Sequence, residues 1–355
     1  MPAVSSSRPS PTPAPLEPRF HTTLDDFVTA ISIAPDGRGV AAATASGAVV
    51  AVSADGKTSR ELARHEGGAL AVAWGPRALA SGGQDARVVL RDLATDVPRS
   101  ISTEASWVEH LAWSPSGEEL AIAAGRVVDV VDPRGAARSR LREHGSTVAA
   151  VAWSPRDSVL ACASYGGLRL FDPSTGALVR HLPWKGSLLS LAWSPDAKVI
   201  ACASQDCSVH FWRLPGGQDS EMQGFPMKPT AIAWDGASRL LATGGDKVIC
   251  VWRFEPPGPE GRAPHQLEGH DAMVTSLAFH PRRGLLASGA HDGVVMLWDV
   301  VSERAIATVR LEDQIVRVAW WPDGSGVVAS TSAGELAFID APVVSVSTAR
   351  RRGSA

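Results

Sequence analysis

Short runs in which apolar and small polar residues alternate fill most of the chain, and turn-forming residues close each run. The stretch from Gly269 to Val300 shows the pattern most clearly. Met273 to Phe279 is apolar and alternating, Pro281-Arg282-Arg283-Gly284 is a turn, and Leu285 to Gly289 is a second run. His291-Asp292-Gly293 is a tight turn, Val294 to Trp298 is a third run rich in β-branched residues, and Arg304 to Arg310 is a fourth. Period-two alternation broken by Gly, Pro and Asp predicts four short antiparallel strands, and no segment sustains a helical period.

This unit recurs. The sequence apolar-Ala-Trp-Ser-Pro stands at Leu111 to Pro115, Val151 to Pro155 and Leu191 to Pro195, with looser copies at Ile31 to Pro35, Val72 to Pro76, Ile232 to Gly236, Leu277 to Pro281 and Val318 to Pro322. The closing residues fall at 35, 76, 115, 155, 195, 236, 281 and 322, in steps of 41, 39, 40, 40, 41, 45 and 41. Four strands in a period of about 40 residues predict an all-β chain folded as a single β-propeller of four-stranded antiparallel blades, since such a unit cannot bury both faces alone. Each of the eight copies carries its own second and third strands, as Gly39 to Thr44 and Ala48 to Ser53 do in the first. Eight blades are therefore expected, with seven as the alternative. The last blade needs a fourth strand, supplied either by Arg19 to Leu24 or by Val343 to Thr348, and the pattern leaves both open. The expected organisation is a disordered Pro/Ser-rich leader over 1–18, a propeller over 19–348 and a basic disordered tail over 349–355.

Composition narrows the class. Charged residues make up 20% and the net charge is −3, so the overall field gives no general case for nucleic-acid or membrane binding. The basic run Arg350-Arg351-Arg352 is a local exception that reads first as a solvated tail and otherwise as a phosphate contact. Residues 1–18 hold six prolines, four serines and no apolar run, unlike a secretory signal or a membrane span. Four cysteines without an export signal fit a reduced, cytoplasmic setting.

Gly269-His270, Leu286-Ala287-Ser288-Gly289, His291-Asp292-Gly293 and Trp298-Asp299 together resemble the Trp-Asp (WD) repeat β-propeller family, over roughly residues 19 to 340. The resemblance implies a buried hydrogen-bond ladder of His270, Ser288, Asp292 and Trp298. Elsewhere the ladder is partial. His65, Ser81 and Asp85 occur with Arg91 in the Trp position, and Asp206 and Trp212 occur with Cys202 in the Ser position. Thr243, Asp246 and Trp252 form a shorter version, and His144 pairs with Phe171-Asp172 without a turn Asp. The Ala-rich, Trp-Ser-Pro-rich repeats also resemble stand-alone bacterial WD-repeat proteins, some of which accompany CobW-type metal-chaperone GTPases.

No catalytic, metal or cofactor site is expected. Cys162 and Cys202 occupy equivalent second-strand positions, Cys207 and Cys250 lie on or near third strands, and none forms a C-x-x-C pair. His265, His270, His280 and His291 are close in sequence, but the blade pattern scatters them. Glu109 and His110 are the one adjacent titratable pair on a first strand, expected to share a channel-rim hydrogen bond. They are also where a metal-dependent propeller hydrolase or lactonase, the alternative reading, would place its ion.

What remains is surface. The register aligns Phe27, Gly68, Trp107, Thr147, Ser187, Lys228, Met273 and Gln314 where the chain enters each first strand. The family resemblance implies that this upper rim, with turn positions Gln84, Gln205, Gly245 and His291, is the docking face. Phe27, Trp107 and Met273, oriented by Glu109 and Lys228 and flanked by His291 and Gln314, have the make-up of an interaction hot spot. The extra residues of the 45-residue step, Phe254 to Gln266, read as a Pro-rich surface excursion. The expected function is a non-catalytic scaffold, a monomeric propeller binding one or more proteins on its upper rim. A CobW-type GTPase is one candidate partner.

Overall fold

In a computed structural model, residues 13–342 are described except 106, 143 and 215, and every regular element among them is a β-strand. Among the described residues no helix is long and apolar enough to cross a membrane. Hydrogen bonds join the strands into seven sheets, so that the blades counted by sheet number seven, the alternative, rather than eight. All eight repeats are nonetheless accommodated, because the six-stranded sheet carries the fourth and fifth together. Its strands Leu160–Asp172 and Ala177–Trp193 run on through positions that are turns elsewhere, bridged by Tyr165 opposite Ser187 and Gly167 opposite Pro183. The local cause is the missing turn Asp. Gly166 and Gly167 adopt φ of 88° and 118°, a left-handed bend that only glycine enters freely.

The inner strands form a closed circuit. Val28–Ile33, Ala69–Trp74, Val108–Trp113, Ala150–Trp153, the second half of Ala177–Trp193, Ala231–Trp234, Val274–Phe279 and Ile315–Trp320 each touch the next, and the last touches the first. The N-terminus supplies the closing strand. Phe20–Thr23 pairs antiparallel with Glu335–Asp340, and the Phe20 and Phe338 rings stack at 3.9 Å. Val343 to Thr348 lies outside the described residues. Part of the leader expected to be disordered through residue 18 is ordered, since Ala14–Pro15 pairs parallel with Ala307 and Thr308 on the outer edge of the preceding sheet; residues 1–12 and the expected tail over 349–355 lie outside the described residues. The N-terminal chain thus straps the seventh repeat to the eighth.

The recurring Ala-Trp pair explains how neighbouring units adhere. Trp113, Trp153, Trp193, Trp234 and Trp320 each donate the indole N–H to the carbonyl of Ala73, Ala112, Ala152, Ala192 and Ala278, at 2.8 to 3.2 Å, across one repeat. Three such pairs, Ala112-Trp113, Ala152-Trp153 and Ala192-Trp193, serve both sides, donating backward through Trp and accepting through Ala. Second strands are built from fully buried alanines such as Ala41, Ala121, Ala161, Ala201, Ala242, Ala287 and Ala329, which let adjacent sheets approach closely. The Ser of Trp-Ser-Pro caps the turn, Ser194 Oγ accepting the Val199 amide at 2.9 Å and Ser114 Oγ that of Glu119 at 3.1 Å.

Candidate functional site

The ladder lies beneath the loops at the upper end of the inner strands. In the seventh repeat, Trp298 Nε1 donates to Ser288 Oγ (2.8 Å), Ser288 lies 2.7 Å from His270 Nε2, and His270 Nδ1 lies 3.0 Å from Asp292. Asp292 also accepts the amides of Asp271 and Val294, both at 2.9 Å. Burial alone would raise the Asp292 carboxyl, but the Asp271 amide and His270 outweigh it and hold it below its ordinary range. Burial lowers the His270 imidazole against the pull of Asp292. A neutral ring giving Nδ1–H to the carboxylate and accepting the serine hydroxyl at Nε2 leaves nothing polar unpaired.

The same construction holds His65 between Asp85 and Ser81, both at 2.9 Å, while Arg91 in the tryptophan position donates to the Leu62 carbonyl. In the sixth repeat Trp252 donates to Thr243 at 3.0 Å. In the fifth, Trp184 replaces the histidine. It donates to Ser204 and lies 3.9 Å from the His210 ring, which stands edge-on to Trp212. The fourth repeat is incomplete. His144 is buried against Phe171, with Gly166 in the aspartate register and Cys162 in the serine register, and neither ring nitrogen has a partner among the described residues. Burial, with Arg169 nearby, pushes the His144 imidazole down to about 4.

The rim above the ladders carries most of the exposed large apolar side chains among the described residues. Phe27 is 38% exposed, Trp107 53% and Met227 51%, on loops of the first, third and sixth repeats, and Tyr165 is 59% exposed within the strand Leu160–Asp172 of the fourth. Two of the three expected apolar anchors are therefore present as exposed groups. The third, Met273, is half-buried, whereas Met227 beside Lys228 is exposed. Lys228, His291 and Gln314 are exposed and Glu109 is half-buried. Tyr165 occupies the turn position equivalent to Gln84 and His291, so its register made it legible; Met227 lies one residue before the aligned position.

Other expectations resolve differently. The side chains of Glu109 and His110 make no hydrogen bond with each other or with any other described residue, contrary to the expected rim hydrogen bond, and burial lowers the His110 imidazole. Among the described residues no group of three His, Cys, Asp or Glu is placed to hold a metal. The Phe254 to Gln266 loop is fastened down rather than projecting. Phe254 packs 5.0 Å from Phe211 and 4.6 Å from Trp234, and Glu260 takes Arg213 at 2.9 Å and Ser220 at 3.3 Å.

Residues 135–172, 176–213, 223–253 and 261–299 match the WD domain, G-beta repeat. The chain carries WD repeats. It is similar to WD repeat-containing protein AAC3 of Dictyostelium discoideum, 30% identical over 34% of this chain and 29% of that protein. It is similar to THO complex subunit 3 of Arabidopsis thaliana, 30% identical over 34% of this chain and 39% of that protein, and to Coronin-7 of Bos taurus, 35% identical over 30% and 12%. The matched stretch of this WD-repeat propeller thus spans well under half the length of each of these relatives, all of them eukaryotic. The matched repeats include the complete ladder of the seventh repeat; the second repeat, with Arg91 for Trp, falls outside the match.

Proposed function

We propose that this propeller is a non-catalytic platform that docks a protein partner on its upper rim through Phe27, Trp107, Tyr165 and Met227, with Lys228, His291 and Gln314 as polar surroundings. The observation that carries the proposal is the exposure of these four apolar side chains at equivalent or adjacent register positions of four repeats, three on loops and Tyr165 on the strand Leu160–Asp172. Aromatic and methionine side chains on a rigid frame provide large contact area at low ordering cost. Relatives named as a subunit of a complex, such as THO complex subunit 3, support a scaffold role. The four free cysteines support a reducing, cytoplasmic setting, and a monomeric propeller is the simplest assembly. A CobW-type GTPase partner rests on the sequence resemblance alone, and none of the relatives above points to it. Nothing favours the hydrolase reading, since Glu109 and His110 do not join into one group.

The test is a quantitative pull-down from native lysate with wild type and a Phe27→Asp, Trp107→Asp, Tyr165→Asp variant whose melting temperature matches wild type. A partner enriched by wild type and lost by the variant is the expected result. Equal enrichment by both proteins, or none by wild type, would reject the upper rim as the docking face.

A further inference from the structure

On the opposite face, where first strands turn into second strands, the sixth and seventh repeats form a half-open cavity of about 630 Å³. Four arginines line it: Arg239, Arg253, Arg282 and Arg283. The carboxylates around it are already engaged. Asp235 accepts the Arg239 and Leu240 amides at 2.6 and 2.8 Å, and Glu255 faces Arg239 at 3.4 Å. Glu303 is taken by His265 Nδ1, while His265 Nε2 accepts Arg253 Nε at 2.8 Å, so a neutral imidazole stands between Glu303 and Arg253.

What is left is cationic. Arg282 donates to the Asp323 carbonyl. Arg283 and the terminal nitrogens of Arg253 have no partner among the described residues. The turn that presents Arg282 and Arg283 is preset, because buried His280 accepts both of their amides at Nδ1, at 2.9 and 3.0 Å. Beside these guanidinium groups, Val300 and Val301 line the same cavity. Its volume lies in the range of about 300 to 1,000 Å³ usual for ligand pockets.

We infer that this lower-face cavity binds a phosphorylated ligand, with Arg253 and Arg283 holding the phosphate and the valines contacting the apolar part. Guanidinium forks match phosphate oxygens in pairs, and a site with unpaired arginines and satisfied carboxylates favours a dianion over a neutral or cationic ligand. The inference is independent of the upper-rim reading. The phosphate arrives either free or on a peptide.

Calorimetric titration of the full chain at low salt with pyrophosphate, and with a phosphoserine peptide beside its unphosphorylated twin, separates these sources. Saturable one-to-one binding of pyrophosphate assigns the site to free phosphates; binding of the phosphopeptide alone assigns it to a peptide. In either case Arg253→Ala with Arg283→Ala weakens binding by about tenfold for each arginine removed, and Arg253→Lys with Arg283→Lys retains part of it. Arg239→Ala, whose partner is Glu255, weakens binding less. All these positions are exposed, so unchanged melting temperatures will confirm that the variants fold. Failure of both ligands to bind, or equal binding by the double alanine variant, overturns the inference.

Discussion

Replacing His144 by Leu should make the propeller more stable, and increasingly so as the pH falls. The ring is buried, both nitrogens lack partners among the described residues, and its pKa is pushed down to about 4 from an ordinary 6.5. Because the folded value lies below the unfolded one, the unfolded chain takes up a proton between those values while the native state resists it. The stability associated with the neutral ring is complete above the unfolded pKa and is lost as pH falls toward the folded one, a loss of about 3.4 kcal/mol in total. At roughly pH 4.5 the wild type has lost about 2.5 kcal/mol of this, and at roughly pH 7 only about 0.2. Urea denaturation of wild type and His144→Leu at these two pH values measures the difference, in which every other titrating group common to both proteins cancels. The advantage of the variant should grow by about 2.4 kcal/mol from the higher pH to the lower. A pH-independent difference would refute the reasoning, since it would mean that the ring titrates alike in both states.

Three further outcomes follow from the geometry. Asp292→Ala strips the acceptor from His270 and from the Asp271 and Val294 amides and should cost about 2 to 4 kcal/mol in denaturant unfolding, whereas Asp206→Ala, where the carboxylate meets Ser208 and no histidine, should cost under about 1 kcal/mol. Trp153→Phe removes an indole bond to Ala112 and should cost about 1 kcal/mol, while Trp74→Phe, whose indole nitrogen is buried without a partner among the described residues, should cost nothing or stabilise, as thermal melts will show. Removing residues 1–18 should lower the melting temperature slightly. Removal through residue 24 also strips Phe20–Thr23 from the last sheet, uncovers Phe338, and should cost at least about 3 kcal/mol.

The architecture was legible because its physical basis repeats. Each of the three full Ala-Trp-Ser-Pro copies encodes a carbonyl acceptor, an indole donor, a turn cap and a chain reversal, and with the five looser copies the repeat announces eight inner strands. The sheet count was not legible, since it depends on hydrogen bonds between Tyr165 and Ser187 across a bend that the glycines of one repeat create. Nor could the ring closure be read. Arg19 to Leu24 and Val343 to Thr348 have similar strand patterns, and what distinguishes the first is the face-to-face fit of Phe20 on Phe338, a contact between residues more than 300 positions apart.

Which rim residues are exposed was legible only in part, for a related reason. A register argument fixes where a residue enters the strand, but exposure depends on how the neighbouring loop lies over it, and loop lengths differ between repeats. Met273 and Met227 show the difference: the aligned one is half-buried, and the one a position out of register is open to solvent. The lower-face cavity escaped sequence reading altogether. Its arginines come from the turn after one inner strand, the third strand of the sixth repeat and the turn of the seventh, and their significance lies in which carboxylates are already taken. By simple counting Asp235, Glu255 and Glu303 would have seemed to offset all but one of the four arginines; only the hydrogen bonds show that Asp235 is turned to backbone amides and Glu303 to His265, leaving Arg253 and Arg283 without side-chain carboxylate partners.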